Sequence, residues 1–347
     1  MRIDAFRACL RALGAQPLHV DRVLRDWVRV MDHDRGRRRP DDFLPKPVRT
    51  ALPQLDAELN ALARALSTHP ADDGSARLLV GLADGQTVET VLLPRDGVCV
   101  SSQVGCAVGC QFCMTGQSGL IRQVTSGEIV AQVVLARRLR PVKKVVFMGM
   151  GEPAHNLDNV LEAIDLLGVE GNIAHKNLVF STVGDPRVFE RLPSGRVKPA
   201  LALSLHTTKP DLRARLLPRA PRFTARELVD EGERYARLTG YPIQYQWTLL
   251  DGVNDGQDEL DAIVTLLRGK YAVLNMIPYN TNPGLPFHRP DWDKSRAIAA
   301  WLFERGVLTK LRDSAGQDVD GGCGQLRARA AGERTVTLQR TNGACDA

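Results

Sequence analysis

Apolar and polar positions in the first part of the chain are spaced with the period of amphipathic helices. Apolar residues recur at helical spacing in FRACLRALG, VDRVLRDWVRV and LPQLDAELNALARAL, which predicts helices within residues 1 to about 70. The turn-rich stretch HPADDGS follows, and after it come two strand-like runs, ARLLVGLA and TVETVLLP. Asp84 and Gly85, a dipeptide typical of tight hairpin turns, separate these runs. The pattern predicts a helical N-terminal part joined to a β-hairpin.

From Val98 onward, strand-like runs alternate with helical stretches. The predicted strands are VCVSSQ, KVVFMGM, NLVFST, ALALSLH, QYQWTLL, AVLNMIPYN and LTKLRDS. The predicted helices are SGEIVAQVVLARR, LDNVLEAIDLLG, TARELVDEGERYARL, LDAIVTLLRG and KSRAIAAWLFER. Thr125 and Glu128 at the start of the first helix have the spacing of a capping box. About six strand–helix units, without a dinucleotide-binding glycine fingerprint, favour a partial or complete barrel over a Rossmann fold.

The predicted fold class is therefore α/β: a partial (βα)6 barrel with a small N-terminal helical accessory domain and a β-hairpin extension. We expect the accessory domain to cover residues 1–75 and the hairpin to cover 76–91. The barrel core is expected at 92–330, and a tail at 331–347.

Composition bears on location and on one class of partner. The 347-residue chain is 44% hydrophobic, and it has no apolar run approaching the roughly 20 residues of a membrane helix. Its N-terminus lacks an apolar signal-peptide core and carries Asp4, so we expect a cytoplasmic protein without membrane contact. The net charge of +6 is compatible with RNA, and the basic segments 35–39 and 137–144 could contact phosphates. Solvated surface is the more frequent explanation for such segments, so charge alone does not identify an RNA-binding protein.

Cysteine is the most informative residue type in the composition. The chain has seven cysteines, an odd number that argues against a disulfide framework and for metal binding or catalysis. Four of them lie between residues 99 and 113, whereas Cys9 and Cys345 lie outside every motif.

Three cysteines follow the first predicted barrel strand with the spacing C-x3-C-x2-C: Cys106, Cys110 and Cys113. Three thiolates can hold three corners of a [4Fe–4S] cluster and leave its fourth iron open for chemistry. A zinc site would normally take a fourth ligand and a different spacing, and a chance triplet is the other alternative. The spacing, at the end of a strand, favours the cluster over both.

The cysteine motif, with an aromatic residue before its last cysteine, resembles the signature of radical SAM enzymes. Further phrases narrow the resemblance, in this order along the chain: VETVLLP, CVSSQVGC, GCQFCMTG, FMGMGEP, LALSLH, VNDG, IPYN and DVDGGCGQL. Together they resemble the RlmN/Cfr family, radical SAM methyltransferases that modify an adenosine carbon in RNA. The N-terminal part is similar, more loosely, to the small RNA-binding accessory domain of that family.

The resemblance implies one [4Fe–4S] cluster and two molecules of S-adenosylmethionine (SAM) per turnover. The amino and carboxyl groups of SAM would chelate the open iron, and an electron from the cluster would break the sulfonium bond to give a 5′-deoxyadenosyl radical. An electron donor of flavodoxin type and a disulfide reductant are the implied protein partners.

The resemblance also implies roles for three residues outside the triplet. Cys323 would accept a methyl group from one SAM, and the S-methylcysteine radical formed with a second SAM would add to adenine. Glu89 would remove the ring proton, and Cys99 would attack the sulfur of Cys323, leaving a transient disulfide. From the residues alone, Cys323 could be a buried cysteine in a glycine-rich turn, Cys99 a packed strand residue and Glu89 a solvent-facing one.

Polar residues at the ends of successive predicted strands are the candidates for SAM binding. Barrel ligands gather at this edge, where MGMGEP puts glycines directly after an apolar strand. By the resemblance, Gly151 and Glu152 would meet the amino group of SAM. The remaining candidates, for its ribose and carboxylate, are Ser181, Ser204, Leu205, His206 and Asn280. Each of these alone could be an ordinary turn or strand-end group.

The leading hypothesis is a monomeric RNA methyltransferase that modifies adenosine C2, with C8 as the alternative. The expected substrate is 23S ribosomal RNA, with transfer RNA as a second possibility. Another radical SAM reaction, such as glycyl-radical activation or cofactor maturation, is a second hypothesis and predicts that Cys99 and Cys323 are dispensable. The third hypothesis is a non-catalytic RNA-binding protein with an iron–sulfur or zinc site.

Overall fold

A computed structural model describes residues 1–33 and 40–327 of the chain. The basic segment 35–39, the predicted tail 331–347 and Cys345 lie outside these residues. Within the two described ranges, no helix is both long enough and apolar enough to span a lipid bilayer.

Helices form the N-terminal part of the molecule, as the spacing of apolar residues predicts. They are α1 (Ile3–Ala12), α2 (Pro17–Arg29), α3 (Pro40–Phe43) and α4 (Lys46–Ala61). Helix α2 starts with a proline at its first position and a capping box between Gln16 and His19. The apolar faces of these helices contribute Phe6, Leu24 and Leu59 to the main hydrophobic core.

The segment after α4 corrects the prediction of a longer helix. Helix α4 ends at Ala61, and β1 (Ala63–Pro70) then pairs antiparallel with β2 (Ala76–Leu82) along its whole length. The helix predicted for ARAL, and the turn predicted to begin at His69, are therefore wrong at these positions. Backbone hydrogen bonds to β2 outweigh the high intrinsic helix propensity of Ala, Arg and Leu in this segment, and local spacing carries no information about that pairing.

The predicted hairpin is present and leads into the parallel part of the sheet. Strands β2 and β3 (Thr87–Leu93) pair antiparallel across a turn in which Gly85 has φ 84°. Strand β3 pairs in turn with β4 (Gly97–Cys99). A separate antiparallel pair, β5 (Gln103–Gly105) and β6 (Leu120–Gln123), encloses the cysteine loop.

Alternating strands and helices build the remainder of the fold. The strands are β7 (Lys144–Phe147), β8 (Leu178–Thr182), β9 (Ala200–Ser204), β10 (Ile243–Leu249), β11 (Ala272–Pro278) and β12 (Thr309–Leu311). The helices are α5 (Met114–Gln117), α6 (Ser126–Leu139), α7 (Leu157–Val169), α8 (Pro186–Arg191), α9 (Pro210–Leu216), α10 (Ala225–Thr239), α11 (Gln257–Leu267) and α12 (Trp292–Glu304). Helix α6 starts with the predicted capping box. The sheet order is β1-β2-β3-β4-β7-β8-β9-β10-β11-β12, and all neighbours from β4 onward are parallel.

The sheet curls into a partial barrel whose edge strands, β1 and β12, do not pair with each other. The segment after β12 crosses the gap between the edges. Gly316 N donates to Asp73 Oδ2 (3.1 Å), and Arg77 of β2 donates to the carbonyl of Val319 (2.5 Å). The predicted partial (βα)6 barrel is thus confirmed, and this crossing segment carries Cys323 across its open side.

Candidate active site

Glycines wind the cysteine loop tightly between β5 and α5. Gly105 has φ 78°, and a Cβ there would lie 1.8 Å from the carbonyl oxygen of Gly119, so a larger residue would not fit. A Cβ on Gly116 would lie 2.8 Å from both the nitrogen and the oxygen of Cys110. Cys106 N donates to the carbonyl of Gly119 (2.9 Å). Backbone packing therefore fixes the path of the loop.

All three cysteines of the triplet line one cavity at the C-terminal ends of the parallel strands. Burial raises the pKa of the Cys106 thiol to about 12, and burial together with the charges of Cys113 and Cys106 raises the pKa of Cys110. Bound iron would hold these thiols as thiolates, so the donor set fits three ligands of an iron–sulfur cluster. Within residues 1–33 and 40–327, no three His, Cys, Asp or Glu side chains are gathered closely enough to bind a single metal ion.

The same cavity contains most of the residues predicted to bind SAM. Its lining includes Gly151, Glu152, Ser181, Ser204 and His206. Leu205 is outside this lining, because its side chain is fully buried and its backbone N donates to the carbonyl of Gln246 (3.0 Å). Asn280 is also outside, and its Nδ2 donates to Ser314 Oγ and to the carbonyl of Cys323, each at 3.0 Å. Asn280 therefore holds the backbone of Cys323 in place.

Glu152 is a buried carboxylate whose oxygens are both oriented by the backbone. Its Oε1 accepts from Ala154 N (3.0 Å), and its Oε2 accepts from Val183 N (3.0 Å). Burial raises its pKa to about 7, although these hydrogen bonds act in the opposite direction. A carboxylate held in this way can accept a further hydrogen bond from an amino group in the cavity.

The glycines of MGMGEP are required by the packing of the protein itself. A Cβ on Gly149 would lie 2.7 Å from the carbonyl oxygen of Val100. Gly151 has φ 99°, and a Cβ there would lie 2.5 Å from the Cβ of Gln103. Both glycines also line the cavity, so they leave room for a ligand while the strand end packs against the chain after β4.

His206 is a buried neutral ring with a defined tautomer. Its Nδ1 accepts from Thr248 N (2.9 Å), so the neutral imidazole carries its proton on Nε2. Burial, assisted by the charge of Arg213, lowers its pKa to about 3. Its ring stands edge-on to Phe112 of the cysteine loop, with 5.0 Å between ring centroids. His206 therefore offers a hydrogen-bond donor next to the cysteines at every physiological pH.

Cys99 and Cys323 share a second cavity that continues from the first. Cys323 lines both cavities, whereas Cys99 lines the second. Cys323 is accessible and Cys99 is buried on β4, and both are free thiols. Burial and the charge of Cys323 raise the pKa of Cys99. The protein around Cys323 partly desolvates its sulfur and raises its pKa, although the residue is accessible from the cavity, and a hydrogen bond with Ser314 acts in the opposite direction. The structure thus brings both predicted catalytic cysteines to one cavity.

Glu89 is fully buried on β3, which rules out the solvent-facing alternative. Its Oε1 accepts from the guanidinium of Arg77, and its Oε2 accepts from the backbone N of Arg327 (2.9 Å). It lines neither of the two cavities. Two residues further along the strand, Val91 lies opposite Cys99. Glu89 is therefore near Cys99 in the sheet, with both of its oxygens engaged.

Gln246, at the site, and Arg213, which supports it, are among the residues that the sequence-based candidates do not include. Gln246 on β10 lines both cavities, and its position in QYQW, where polar residues alternate with buried aromatic ones, is a signal that sequence reasoning overlooked. Arg213 is buried and donates to the carbonyls of Ser204 (2.8 Å) and Val183 (2.5 Å), so it ties the ends of β8 and β9 together. No local pattern marks Arg213, because its partners are backbone carbonyls.

Comparison with known proteins identifies the family. A model described as "Radical SAM superfamily" matches residues 100–266. A protein of Leptothrix cholodnii named "Probable RNA methyltransferase" is 72% identical over 329 residues, which cover 95% of this chain and 95% of that protein. A similarly named protein of Methylibium petroleiphilum is 70% identical over 344 residues, which cover 99% of this chain and 97% of the relative.

A solved structure extends the similarity to the whole fold. The crystal structure of a radical SAM methyltransferase from Sphaerobacter thermophilus matches with a TM-score of 0.81 and 34% identity, covering 95% of this chain and 98% of that one. That coverage includes most of the N-terminal helices and hairpin as well as the barrel. The chain therefore belongs to the radical SAM superfamily, in the family of proteins named probable RNA methyltransferases.

Proposed function

We propose that this protein methylates a ring carbon of an adenosine in RNA, at C2, through an S-methylcysteine on Cys323. The observation that carries the proposal is the position of Cys323, which lines the cysteine-triplet cavity and also the cavity of Cys99. A radical source alone would need neither of these two cysteines. The name of the relatives supports RNA as the substrate class. We infer 23S ribosomal RNA as the target, with transfer RNA and C8 as the alternative substrate and position.

The superfamily implies a [4Fe–4S] cluster and SAM, and the residues present fit both. Cys106, Cys110 and Cys113 would hold the cluster, which together with SAM supplies the methyl group and the one-electron chemistry when bound. Glu152 would accept a hydrogen bond from the amino group of SAM. Other polar groups of the same cavity would orient SAM: Gly151, Ser181, Ser204 and His206.

Cys323 is the methyl acceptor in this proposal. Its thiolate attacks the methyl carbon of SAM, so that a sulfur–carbon bond forms, the sulfonium–methyl bond breaks and S-adenosylhomocysteine leaves. Desolvation by the surrounding protein raises the pKa of Cys323 and so disfavours the thiolate, whereas the hydrogen bond with Ser314 and the charge of Arg312 favour it. The hydrogen bond from Asn280 to the backbone of Cys323 keeps the sulfur at the junction of the two cavities.

Cys99 and Glu89 complete the cycle after the adenine ring has been joined to the methylene of Cys323. Glu89 takes the proton from the ring carbon, for which its ion pair with Arg77 has to open. The unpaired electron of the adduct would return to the bound cluster. The Cys99 thiolate then attacks the sulfur of Cys323, so that a disulfide forms and the carbon–sulfur bond breaks, and the released methylene carbon takes up a proton to give methylated RNA. A dithiol reductant restores the two thiols before the next turnover. A flavodoxin-type electron donor, a cytoplasmic location and a monomeric state stay predictions from the sequence.

The test compares three cysteine variants in anaerobically reconstituted protein with SAM, a reductant and ribosomal RNA from a strain lacking the gene. Cys323→Ala is expected to give no methylated RNA, and Cys99→Ala to accumulate a covalent protein–RNA adduct. Cys9→Ala is the control, because Cys9 is exposed on α1 outside both cavities. Mass spectrometry of digested RNA separates 2-methyladenosine from 8-methyladenosine. Full methylation by Cys323→Ala would overturn the proposal in favour of another radical SAM reaction.

A further inference from the structure

The second cavity is larger than two reacting thiols need. Its volume is about 540 Å³, within the range of small-molecule binding sites. It extends inside the barrel from Cys99 and Cys323 to Gly97 and Lys144, the first residues of β4 and β7. Its apolar walls are Val146, Met148, Ile277 and Leu326. A flat aromatic ring could therefore lie between these walls, with one edge at Cys323.

Three amide side chains line the same cavity with unused hydrogen-bonding groups. Asn275 of β11 is 2% exposed and lies directly opposite Gln246 of β10, which is 8% exposed. Among the described residues, the side-chain amides of Asn275 and Gln244 have no hydrogen-bond partner. The side chain of Gln246 donates through Nε2 to the backbone carbonyl of Gln244 (3.1 Å), and its Oε1 accepts no hydrogen bond from a described residue. These amide groups line the cavity without a protein partner, so they are available to a polar ligand.

Basic side chains gather at the far end of this cavity. Lys144 and Arg312 line it, and burial, together with the charges of Arg312 and Lys310, lowers the pKa of Lys144. None of these three cations pairs with a carboxylate in the part of the chain that the structure describes. Two carboxylates also line the cavity, and both are engaged elsewhere: Asp313 pairs with Arg289 (3.3 Å), and Asp73 accepts from the backbone N of Ser75 (2.9 Å) and of Gly316 (3.1 Å). Neighbouring cationic side chains that repel one another and have no carboxylate partner are typical of sites that bind phosphate.

We infer that this second cavity receives the target nucleotide, with the adenine edge on Asn275 and Gln246 and a flanking phosphate on Lys144 and Arg312. The inference rests on the proposed function and assigns positioning residues for its substrate. Amide side chains are the usual partners of the N6–N7 edge of adenine. The amide nitrogen donates a hydrogen bond to N7, and the amide oxygen accepts one from N6. A ring held by that edge has C8 next to the amide and C2 on the opposite side. This orientation favours C2 as the carbon that Cys323 reaches.

Binding of short oligonucleotides tests the inference without any methylation. The probes are a labelled nonamer with one adenosine in polyuridine (U4AU4) and the matching U9, measured by fluorescence anisotropy on the full-length protein over a series of salt concentrations. The wild type is expected to prefer U4AU4. Asn275→Ala and the near-isosteric Asn275→Asp should reduce that preference by about 5- to 150-fold, because both remove the donor to N7. Thermal melting of both variants identifies a loss of folding.

Charge variants test the phosphate end separately. Lys144→Glu and Arg312→Glu should weaken the binding of both probes alike. Each variant should also reduce the slope of the logarithm of the binding constant against the logarithm of salt concentration by about 1, the contribution of one phosphate contact. Arg226→Glu is the matched control, since Arg226 is exposed on α10 and lines neither cavity. An unchanged U4AU4 preference in folded Asn275→Asp, or charge variants that bind like Arg226→Glu, would overturn the inference. Preference for adenosine in a wild-type protein that never methylates RNA would refute the proposed function instead.

Discussion

Arg77 and Glu89 form an ion pair that is closed off from solvent between the hairpin and the segment carrying Cys323. Arg77 is 1% exposed and Glu89 0%. Arg77 Nε also donates to the carbonyl of Val319 (2.5 Å), and Glu89 Oε2 accepts from the backbone N of Arg327 (2.9 Å). The two charges therefore hold the chain on both sides of Cys323, four residues away in each direction. The hairpin extension thus anchors the loop that carries Cys323.

Replacing Arg77 by methionine is expected to destabilise the fold. The variant removes the ion-pair partner of a fully buried carboxylate, which costs about 3–5 kcal/mol in the free energy of unfolding. Urea denaturation of the unloaded protein measures this. The double variant Arg77→Met/Glu89→Gln removes both charges and should recover most of the loss. A single variant as stable as the wild type would show that the pair does not anchor the loop.

Replacing Glu89 by glutamine distinguishes its proposed role as the base that takes the ring proton from its role as an anchor of the Cys323 loop. If Glu89 takes the ring proton, the variant should form the protein–RNA adduct but release methylated RNA at least about 100-fold more slowly, the usual loss for a missing general base. Denaturing gel electrophoresis detects the adduct as a band that ribonuclease removes. Methylation at the wild-type rate would leave Glu89 with the anchoring role alone. Loss of both adduct and product would point to a displaced Cys323 loop.

Replacing Cys110 by alanine is expected to abolish cluster assembly. Two thiolates cannot retain a cluster that already depends on an exchangeable ligand at its fourth iron. Iron and acid-labile sulfide, measured after anaerobic reconstitution, should fall to near background. Cys9→Ala should bind as much iron as the wild type, because Cys9 lies on α1. Equal iron in the Cys110 variant would remove this residue from the ligand set.

The parts of the fold that sequence predicts well are those set by near neighbours in the chain. The capping box of Thr125 and Glu128 and the hairpin turn at Gly85 depend on residues three or fewer positions apart. Strand β1 depends on pairing with β2, so its Ala-Arg-Ala-Leu start has no local signature. Long-range pairing decides such segments.

In the candidate site, too, sequence predicts the features that depend on near neighbours in the chain and misses those that depend on long-range packing. Position after a strand correctly predicts that Glu152 and His206 share the edge of the barrel with the cysteines. The position of a residue after a strand does not predict the direction in which its side chain points. The side chain of Asn280 donates to the backbone carbonyl of Cys323 and does not line the cavity of the three cysteines. Gln246 and Asn275 are polar residues on strands, and the sequence does not distinguish the inner face of a barrel from a solvent-exposed face.

The affinity for SAM is expected to increase with pH up to neutrality. Burial raises the pKa of Glu152 to about 7, so the carboxylate is protonated below that pH and cannot accept a hydrogen bond at both oxygens. The dissociation constant of SAM should fall by up to about tenfold per pH unit below 7 and level off above it. Equilibrium binding to the reconstituted protein between pH 5.5 and 8.5 measures this. The matched variant Glu152→Gln should bind weakly with little pH dependence; an equally steep profile in that variant would assign the titration to another group.

His33 couples the stability of the N-terminal helices to pH. Its Nδ1 lies 3.1 Å from Asp26 Oδ2 on α2, its Nε2 lies 3.2 Å from Asp56 Oδ2 on α4, and the side chain is 16% exposed. The hydrogen bonds with Asp26 and Asp56 raise the pKa of His33 to about 9, compared with 6.5 for an ordinary histidine. Because the folded-state pKa is the higher one, the stabilisation is fully present below about pH 6.5 and is lost as the pH rises through 9.

Urea denaturation at pH 6, 7.5 and 9.5 measures this contribution, which amounts to roughly 3 kcal/mol between the two limits. His33→Gln should be less stable than the wild type at pH 6, and the difference should shrink towards pH 9.5. Asp56→Asn removes one of the two carboxylates, so the pH at which stability falls should move lower. Parallel pH profiles for the wild type and His33→Gln would mean that His33 does not join α2 to α4 as a cation. The profile expected here instead requires the charged ring to bridge the two helices.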